Sequence, residues 1–167
     1  MSGGIKNVEV RNNLYIGTDV GLRFKSTRGR GGVVENIYIR DVNMVNIPNE
    51  GLLFDLFYGG KGAGEETEEE LAARMHAEAP EASEETPAFR NIVIEDVKGS
   101  SIKRAIYLNG LPEMKIQNVT LRNVTMSATE GALFRQTDGL VIDNVNIKPA
   151  KGEAFQLAPT VENVKIN

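Results

Sequence analysis

One short pattern recurs along this chain and restricts its fold more than any other feature. It reads apolar-x-Asn-apolar-x-apolar and occurs six times, around Asn7, Asn36, Asn91, Asn118, Asn144 and Asn163. Successive copies are 29, 55, 27, 26 and 19 residues apart, and the interval of 55 equals about two periods, or one period plus an insertion. Self-similarity at a period of roughly 20–50 residues is typical of solenoids, in which each repeat stacks only on its neighbours.

The residues inside each repeat favour strands over helices. Apolar and polar residues alternate with period two, as in Ile37-Tyr-Ile39, and the apolar ones are mostly β-branched. Asn and Asp tolerate left-handed backbone, so they suit tight corners between short strands. A second column of such residues follows the first, at Asn12, Asp41, Asp96 and Asn123. The sequence therefore predicts an all-β fold, a parallel β-helix.

Composition sets limits on what the chain does. A length of 167 residues is sufficient for one sizeable core, and we expect a single domain over residues 1–167. The absence of cysteine excludes disulfides and thiolate metal sites, and the sequence predicts no metal site and no cofactor. A pI near 5.2 with few basic clusters argues against nucleic acid as a partner. There is no secretory signal, and no apolar run approaches the roughly 20 residues of a membrane span, so we expect no membrane partner.

An acidic segment interrupts the repeats. Residues 61–87 contain nine glutamates against Lys61 and Arg74, a net charge of −7. Thr67-Glu-Glu-Glu70 matches a helix capping box and precedes Leu71, so we predict a short surface helix from Thr67 to Ala79 within a solvated insertion. His76, the single histidine, falls in this segment, where an exposed position without a catalytic role is the expectation.

Arg23 and Lys25 are two residues apart in the segment Gly21-Leu-Arg-Phe-Lys-Ser-Thr27. In a strand they point to the same face. There the arginine can hold a carboxylate with two hydrogen bonds while the lysine adds a point charge. The alternative is an ordinary solvated strand face.

The surrounding residues resemble a known family. The stretch Gly17-Thr-Asp-Val-Gly-Leu-Arg-Phe-Lys-Ser-Thr27, followed by Gly31-Gly-Val-Val-Glu-Asn-Ile37, resembles a signature of glycoside hydrolase family 28, the polygalacturonases, and in particular their bacterial branch. The resemblance implies a right-handed parallel β-helix, of which this chain supplies about five to six C-terminal coils. It also implies that Arg23 and Lys25 hold a galacturonate carboxylate in a pectin-like polysaccharide. Asp19 matches an aspartate of the signature, and we expect it to orient Arg23 or support the corner.

The chain departs from the family where the chemistry is done. Family members are inverting hydrolases, which need one carboxylic acid and a carboxylate that activates water. In the family these groups come from Asn-Thr-Asp, Asp-Asp and Gly-His-Gly motifs, and the chain contains none of the three. We therefore predict no catalytic residues here. The chain is expected to be the substrate-binding half of an enzyme, inactive alone, whose parent is secreted or periplasmic. The alternative is a non-catalytic solenoid that binds carbohydrate or self-assembles.

Further candidates flank the Arg23 strand. Arg28 and Arg30 form a basic loop, which either extends a positive cleft for a polyuronate or is a plain turn. Tyr58, near Asp55 and one coil later, is a candidate for stacking on a sugar ring, although strand aromatics more often pack in the core or at its rim.

The first repeat also suggests an association. Only Met1–Gly4 precede Ile5, Val8 and Val10, and four residues are too few to cover the end of a solenoid. We expect a second copy to dock there, giving a homo-oligomer.

Overall fold

The computed structural model describes residues 3–57, 67, 69, 73 and 79–167. These residues form strands that stack coil upon coil. The strands are β1 (Ile5–Ile16), β2 (Leu22–Lys25), β3 (Val33–Asp55), β4 (Ala88–Asn109), β5 (Ile116–Arg135), β6 (Thr137–Leu157) and β7 (Glu162–Ile166). Several are 20 or more residues long because each runs through its corners without interruption.

Within the described residues, every strand pairing is parallel. The order in the sheet is β1-β3-β4-β5-β6-β7, and β2 pairs with β3. Equivalent residues of successive coils therefore lie above one another, as in the column Val8, Ile37, Ile92, Val119, Leu140 and Val164. Parallel strands joined by coil after coil give a right-handed parallel β-helix, and the predicted fold is confirmed.

The corners are built by asparagine and aspartate in left-handed backbone. In the first column Asn7, Asn36, Asn91 and Asn118 have φ between 54° and 57°. Their side chains form a ladder in which each Nδ2 donates to the Oδ1 of the coil before, at 3.0–3.3 Å. A residue at such a corner must accept positive φ and also bond its neighbours above and below, which explains why asparagine recurs.

For one repeat, the sequence pattern predicts the wrong corner column. The sequence pattern groups Asn144 with the first column, but Asn123 and Asn144 are neighbours in the second, where Asn144 Nδ2 donates to Asn123 Oδ1 at 2.8 Å. The first-column position of that coil is Gly139, with φ of 75°. The error arises because both corners carry the same apolar-x-Asx-apolar-x-apolar pattern, so local sequence does not distinguish them.

The interior of the coils is filled by stacked aliphatic and phenylalanine side chains. Ile37, Ile92 and Leu121 are fully buried, and so is Phe54. Each such side chain contributes roughly 1.5–3 kcal/mol by leaving water. The core thus runs along the helix axis and holds the outward faces of the strands in fixed positions.

The end of the acidic insertion packs on the loop that follows β2. The main-chain oxygen of Glu85 accepts hydrogen bonds from the amides of Gly29 (3.1 Å) and Gly31 (2.9 Å). A Cβ atom at Gly31 would collide with the main-chain oxygen of Glu84, and its φ of 62° also favours glycine. The predicted helix from Thr67 to Ala79 and the exposed position of His76 fall mainly or wholly outside the described residues.

Candidate functional site

β2 presents Arg23 and Lys25 on one outward face. The residues that alternate with them point inward: Leu22 is buried, and the Phe24 ring stacks on Phe54 with centroids 4.6 Å apart. Arg23 and Lys25 are exposed. The stacked rings fix the orientation of this short strand, so the two cations share one side of a rigid element.

The next coils continue this face. Leu53 lies opposite Arg23 and Asp55 opposite Lys25, so strand residues 52–55 adjoin β2. Asn109 Nδ2 donates to Asp55 Oδ1 at 2.9 Å, and the amide of Phe57 donates to the same oxygen at 2.9 Å. Asp55 is therefore a fixed acceptor beside Lys25.

Asp19 holds the guanidinium of Arg23, and Asn49 in turn holds Asp19. Arg23 Nη2 donates to Asp19 Oδ2, and Asn49 Nδ2 donates to Asp19 Oδ1 at 2.5 Å. The amide of Asn49 also donates to the main-chain oxygen of Asp19. The hydrogen bonds from Arg23 and Asn49 hold the pKa of the Asp19 carboxyl below its ordinary value. The ionised Asp19 thus orients Arg23.

Arg28 has a partner that the sequence does not suggest. Its Nε and Nη2 donate to Glu113 Oε1 and Oε2 at 2.5 and 2.7 Å, and its guanidinium carbon lies 5.1 Å from the centroid of the Phe57 ring. The Glu113 side chain is 4% exposed. Arg28 therefore joins its loop to the turn at residues 110–115, and its guanidinium is paired with the Glu113 carboxylate.

Of the other two candidates, Arg30 and Tyr58, the structure describes only the first. Arg30 is exposed, and no ion pair is seen for it within the described ranges. Tyr58 lies outside the described residues.

The face also carries residues that sequence reasoning missed. Tyr107 is buried in an outer apolar cluster with Val20 and Leu53. The guanidinium groups of Arg104 and Arg135 lie 6.0 and 5.9 Å from its ring centroid, and Arg135 Nη1 donates to its hydroxyl at 3.4 Å. Reading across in register from Arg23 to Leu53 would have reached Tyr107, but only with the length of the intervening insertion known.

Glu50 is a second missed residue. Its side chain is buried, with the residue 8% exposed, and it lies opposite Arg104 in the register of β3 and β4. Burial raises the pKa of the Glu50 carboxyl, while the charges of Arg104, Lys103 and Arg23 oppose that rise. Arg104 itself pairs with Glu130 of the next coil. The only sequence signal was a glutamate directly before the apolar run Gly51-Leu-Leu-Phe54.

Chemically, the arrangement is suited to hold an anion beside an ordered network of hydrogen bonds. In the part of the chain that the structure describes, no three His, Cys, Asp or Glu side chains are grouped so that they would hold a metal ion. No helix among the described residues has the length and apolarity to cross a membrane.

Comparison with known proteins bears on what this site is for. The chain is 25% identical over 126 residues to a probable polygalacturonase of Vitis vinifera, an alignment that covers 75% of the chain and 22% of that protein. The chain thus spans about a fifth of the length of this curated relative. No solved structure matches it. The model of the glycosyl hydrolases family 28 matches residues 2–150, which is most of the chain, and the chain therefore belongs to that family.

Proposed function

We propose that this chain is the substrate-binding part of a pectin-type glycoside hydrolase, and that Arg23 and Lys25 hold a uronate carboxylate. The observation that carries the proposal is the placement of both cations on one outward face, with Arg23 oriented by Asp19. A pre-oriented guanidinium loses less conformational entropy when it binds a carboxylate. The similarity to a probable polygalacturonase supports a polymer of uronic acid as the ligand.

The test measures the binding of a galacturonate oligomer by isothermal titration calorimetry at low salt. Arg23→Ala should weaken binding about tenfold or more, since a hydrogen bond to a charged group contributes roughly 1.5–3 kcal/mol. Lys25→Ala should weaken it about threefold to tenfold, because a single point charge is lost. Raising the salt concentration should weaken the wild-type interaction as well.

Lys98→Ala is the matched control, because Lys98 is an exposed lysine whose neighbours in register are Asn43 and Thr125, away from Arg23. It should bind within about twofold of wild type. Equal losses in the Lys98 and Arg23 variants would show that net charge alone governs binding, and the proposal would be wrong.

A second function, self-assembly, is favoured by the inward side of β1. Val8 lies in register with Ile37, which is fully buried, yet Val8 is 37% exposed and Ile5 is 51% exposed. We propose that a second copy of the chain covers this apolar side. β1 is the edge strand of the sheet, and an edge strand also presents unpaired backbone groups.

Light scattering checks this association. The mass should rise above 18.3 kDa with concentration, because burial of the apolar side favours the dimer by mass action. Ile5→Lys should keep the chain monomeric. Leu14→Lys should behave like wild type, because Leu14 is 62% exposed but opposite Asn43, on the outward side of the strand. A wild-type chain that stays monomeric at high concentration would contradict the proposal.

A further inference from the structure

A polar groove lies at the corner that precedes the Arg23 face. It has a volume of about 450 Å³ and crosses three consecutive coils, β3, β4 and β5, in the middle of the solenoid. This volume falls within the roughly 300–1,000 Å³ that is usual for small-molecule sites. The lining residues are Ile47, Pro48, Ser101, Ile102, Lys103, Ser127, Ala128 and Thr129.

The groove arises from a stepwise loss of residues at this corner. The register shifts between Ile47 and Glu50 where β3 meets β4, and again between Gly99 and Ile102 where β4 meets β5. Each shift removes one residue from the next coil, so the corner contracts along the axis and leaves a concave surface. β-Bulges of this kind are common beside functional sites, where they redirect side chains.

The lining combines three chemical properties. Ile47, Ile102 and Ala128 are buried and form an apolar floor. Three exposed hydroxyl groups stand along the groove, and each can both donate and accept a hydrogen bond; they belong to Ser101, Ser127 and Thr129. Lys103 is exposed, and no ion pair involving it is recorded over the ranges that the structure covers. An apolar floor, hydroxyls and one cation match a ring that carries hydroxyls and a carboxylate.

The groove is linked to the Arg23 site through neighbouring residues. Pro48 precedes Asn49, whose side chain donates to Asp19, the partner of Arg23. Lys103 precedes Arg104, which lies opposite Glu50 in the register of β3 and β4, and the amide of Gly21, two residues before Arg23, donates to the main-chain oxygen of Glu50 at 2.9 Å. A polyanion bound at Arg23 therefore meets further positive charge when it follows the surface around this corner.

We infer that the groove is a second uronate subsite, in which Lys103 binds the carboxylate of another sugar residue of the chain held at Arg23. The Ser127 and Thr129 hydroxyls pair with the sugar hydroxyls, and the ring rests against Pro48 and the apolar floor. This inference rests on the proposed function, because it places the same polysaccharide across two positions of one surface.

The experiment compares monogalacturonate with trigalacturonate on the full chain. Lys103→Gln should weaken trigalacturonate binding about threefold to tenfold, the usual range for one exposed charge pair, and leave monogalacturonate within twofold of wild type. Lys103→Arg should retain trigalacturonate binding. Lys98→Gln, which changes the other exposed lysine of β4, should leave both ligands unaffected. Because Lys103 is exposed, its variants are expected to keep the wild-type melting temperature.

The outcomes separate this inference from the proposed function. Unchanged trigalacturonate binding in Lys103→Gln, together with a loss in Arg23→Ala, overturns the groove subsite alone. Equal losses in the Lys103 and Lys98 variants also overturn it, because they show a general charge effect. A loss in Lys103→Gln without one in Arg23→Ala supports the groove and contradicts the role of Arg23. Failure of wild type to bind either ligand overturns both.

Discussion

Incubated with polygalacturonate, the 167-residue chain should release no reducing sugar above background. General acid and general base catalysis each contribute about 10²–10⁴-fold to the rate, so a chain without both loses several orders of magnitude. The motifs that supply these groups in the family are absent from the sequence, and two of the carboxylates near Arg23 and Lys25 are held by hydrogen bonds within the protein. Asp19 is bonded to Arg23 and Asn49, and Asp55 accepts from Asn109 and the Phe57 amide.

The control for this assay is Arg23→Ala, expressed and purified in the same way. Sugar release that is equal in wild type and variant indicates a contaminating host enzyme. Release by wild type that disappears in Arg23→Ala would show that the chain hydrolyses its substrate, and the predicted inactivity would be wrong. Glu50, which is buried and whose main-chain oxygen accepts from the amide of Gly21, two residues before Arg23, would then be the first candidate for the acid.

Arg28→Ala should lower the free energy of unfolding by about 1–2 kcal/mol, because a bidentate ion pair that is partly open to solvent is lost. Two charge-assisted hydrogen bonds and the contact with the Phe57 ring are lost together. Urea denaturation gives the change directly. Arg30→Ala, two residues away and exposed, should change stability by no more than about 0.5 kcal/mol. Equal effects of the two substitutions would contradict a stabilising ion pair.

The same pair sets a pH dependence. The hydrogen bonds from Arg28 hold the pKa of Glu113 below its ordinary value of 4.5. A carboxyl whose pKa is lower in the folded state stabilises the protein above its unfolded pKa, and this stability is lost as the pH falls through the folded value. The difference in stability between wild type and Arg28→Ala should therefore be full at pH 7 and shrink below about pH 4.5. A difference that stays constant on acidification would argue against the ion pair.

Most of the fold was readable from the sequence because a solenoid is built from local rules. Period-two alternation gave the strands, and recurring asparagines gave the corners, since positive φ and a ladder of side-chain hydrogen bonds both favour that residue. That Arg23 and Lys25 share one face of a strand followed in the same way from their spacing of two. The contact between Asp19 and Arg23 could also be predicted, because the two residues are only four positions apart.

Contacts between side chains of different coils could not be predicted from the sequence. Arg28 and Glu113 are 85 residues apart, and Asp55 and Asn109 are 54 apart, so no local pattern joins them. Their pairing depends on the register of each coil, which in turn depends on how many residues every corner and the acidic insertion contain. Asn144 was placed in the wrong column because two corners share one sequence pattern, and only the register of the coils tells them apart.

By itself, then, the sequence determined the parallel β-helix and the face on which Arg23 and Lys25 lie, since both depend on spacings within one coil. Only the tertiary structure decided that Arg28 pairs with Glu113, that Glu50 is buried beside the cationic face, and that a groove opens at the corner before it. These properties arise where coils of unequal length stack. Which residues of two coils lie opposite each other depends on the lengths of all the coils and corners between them, and no single segment of sequence contains that information.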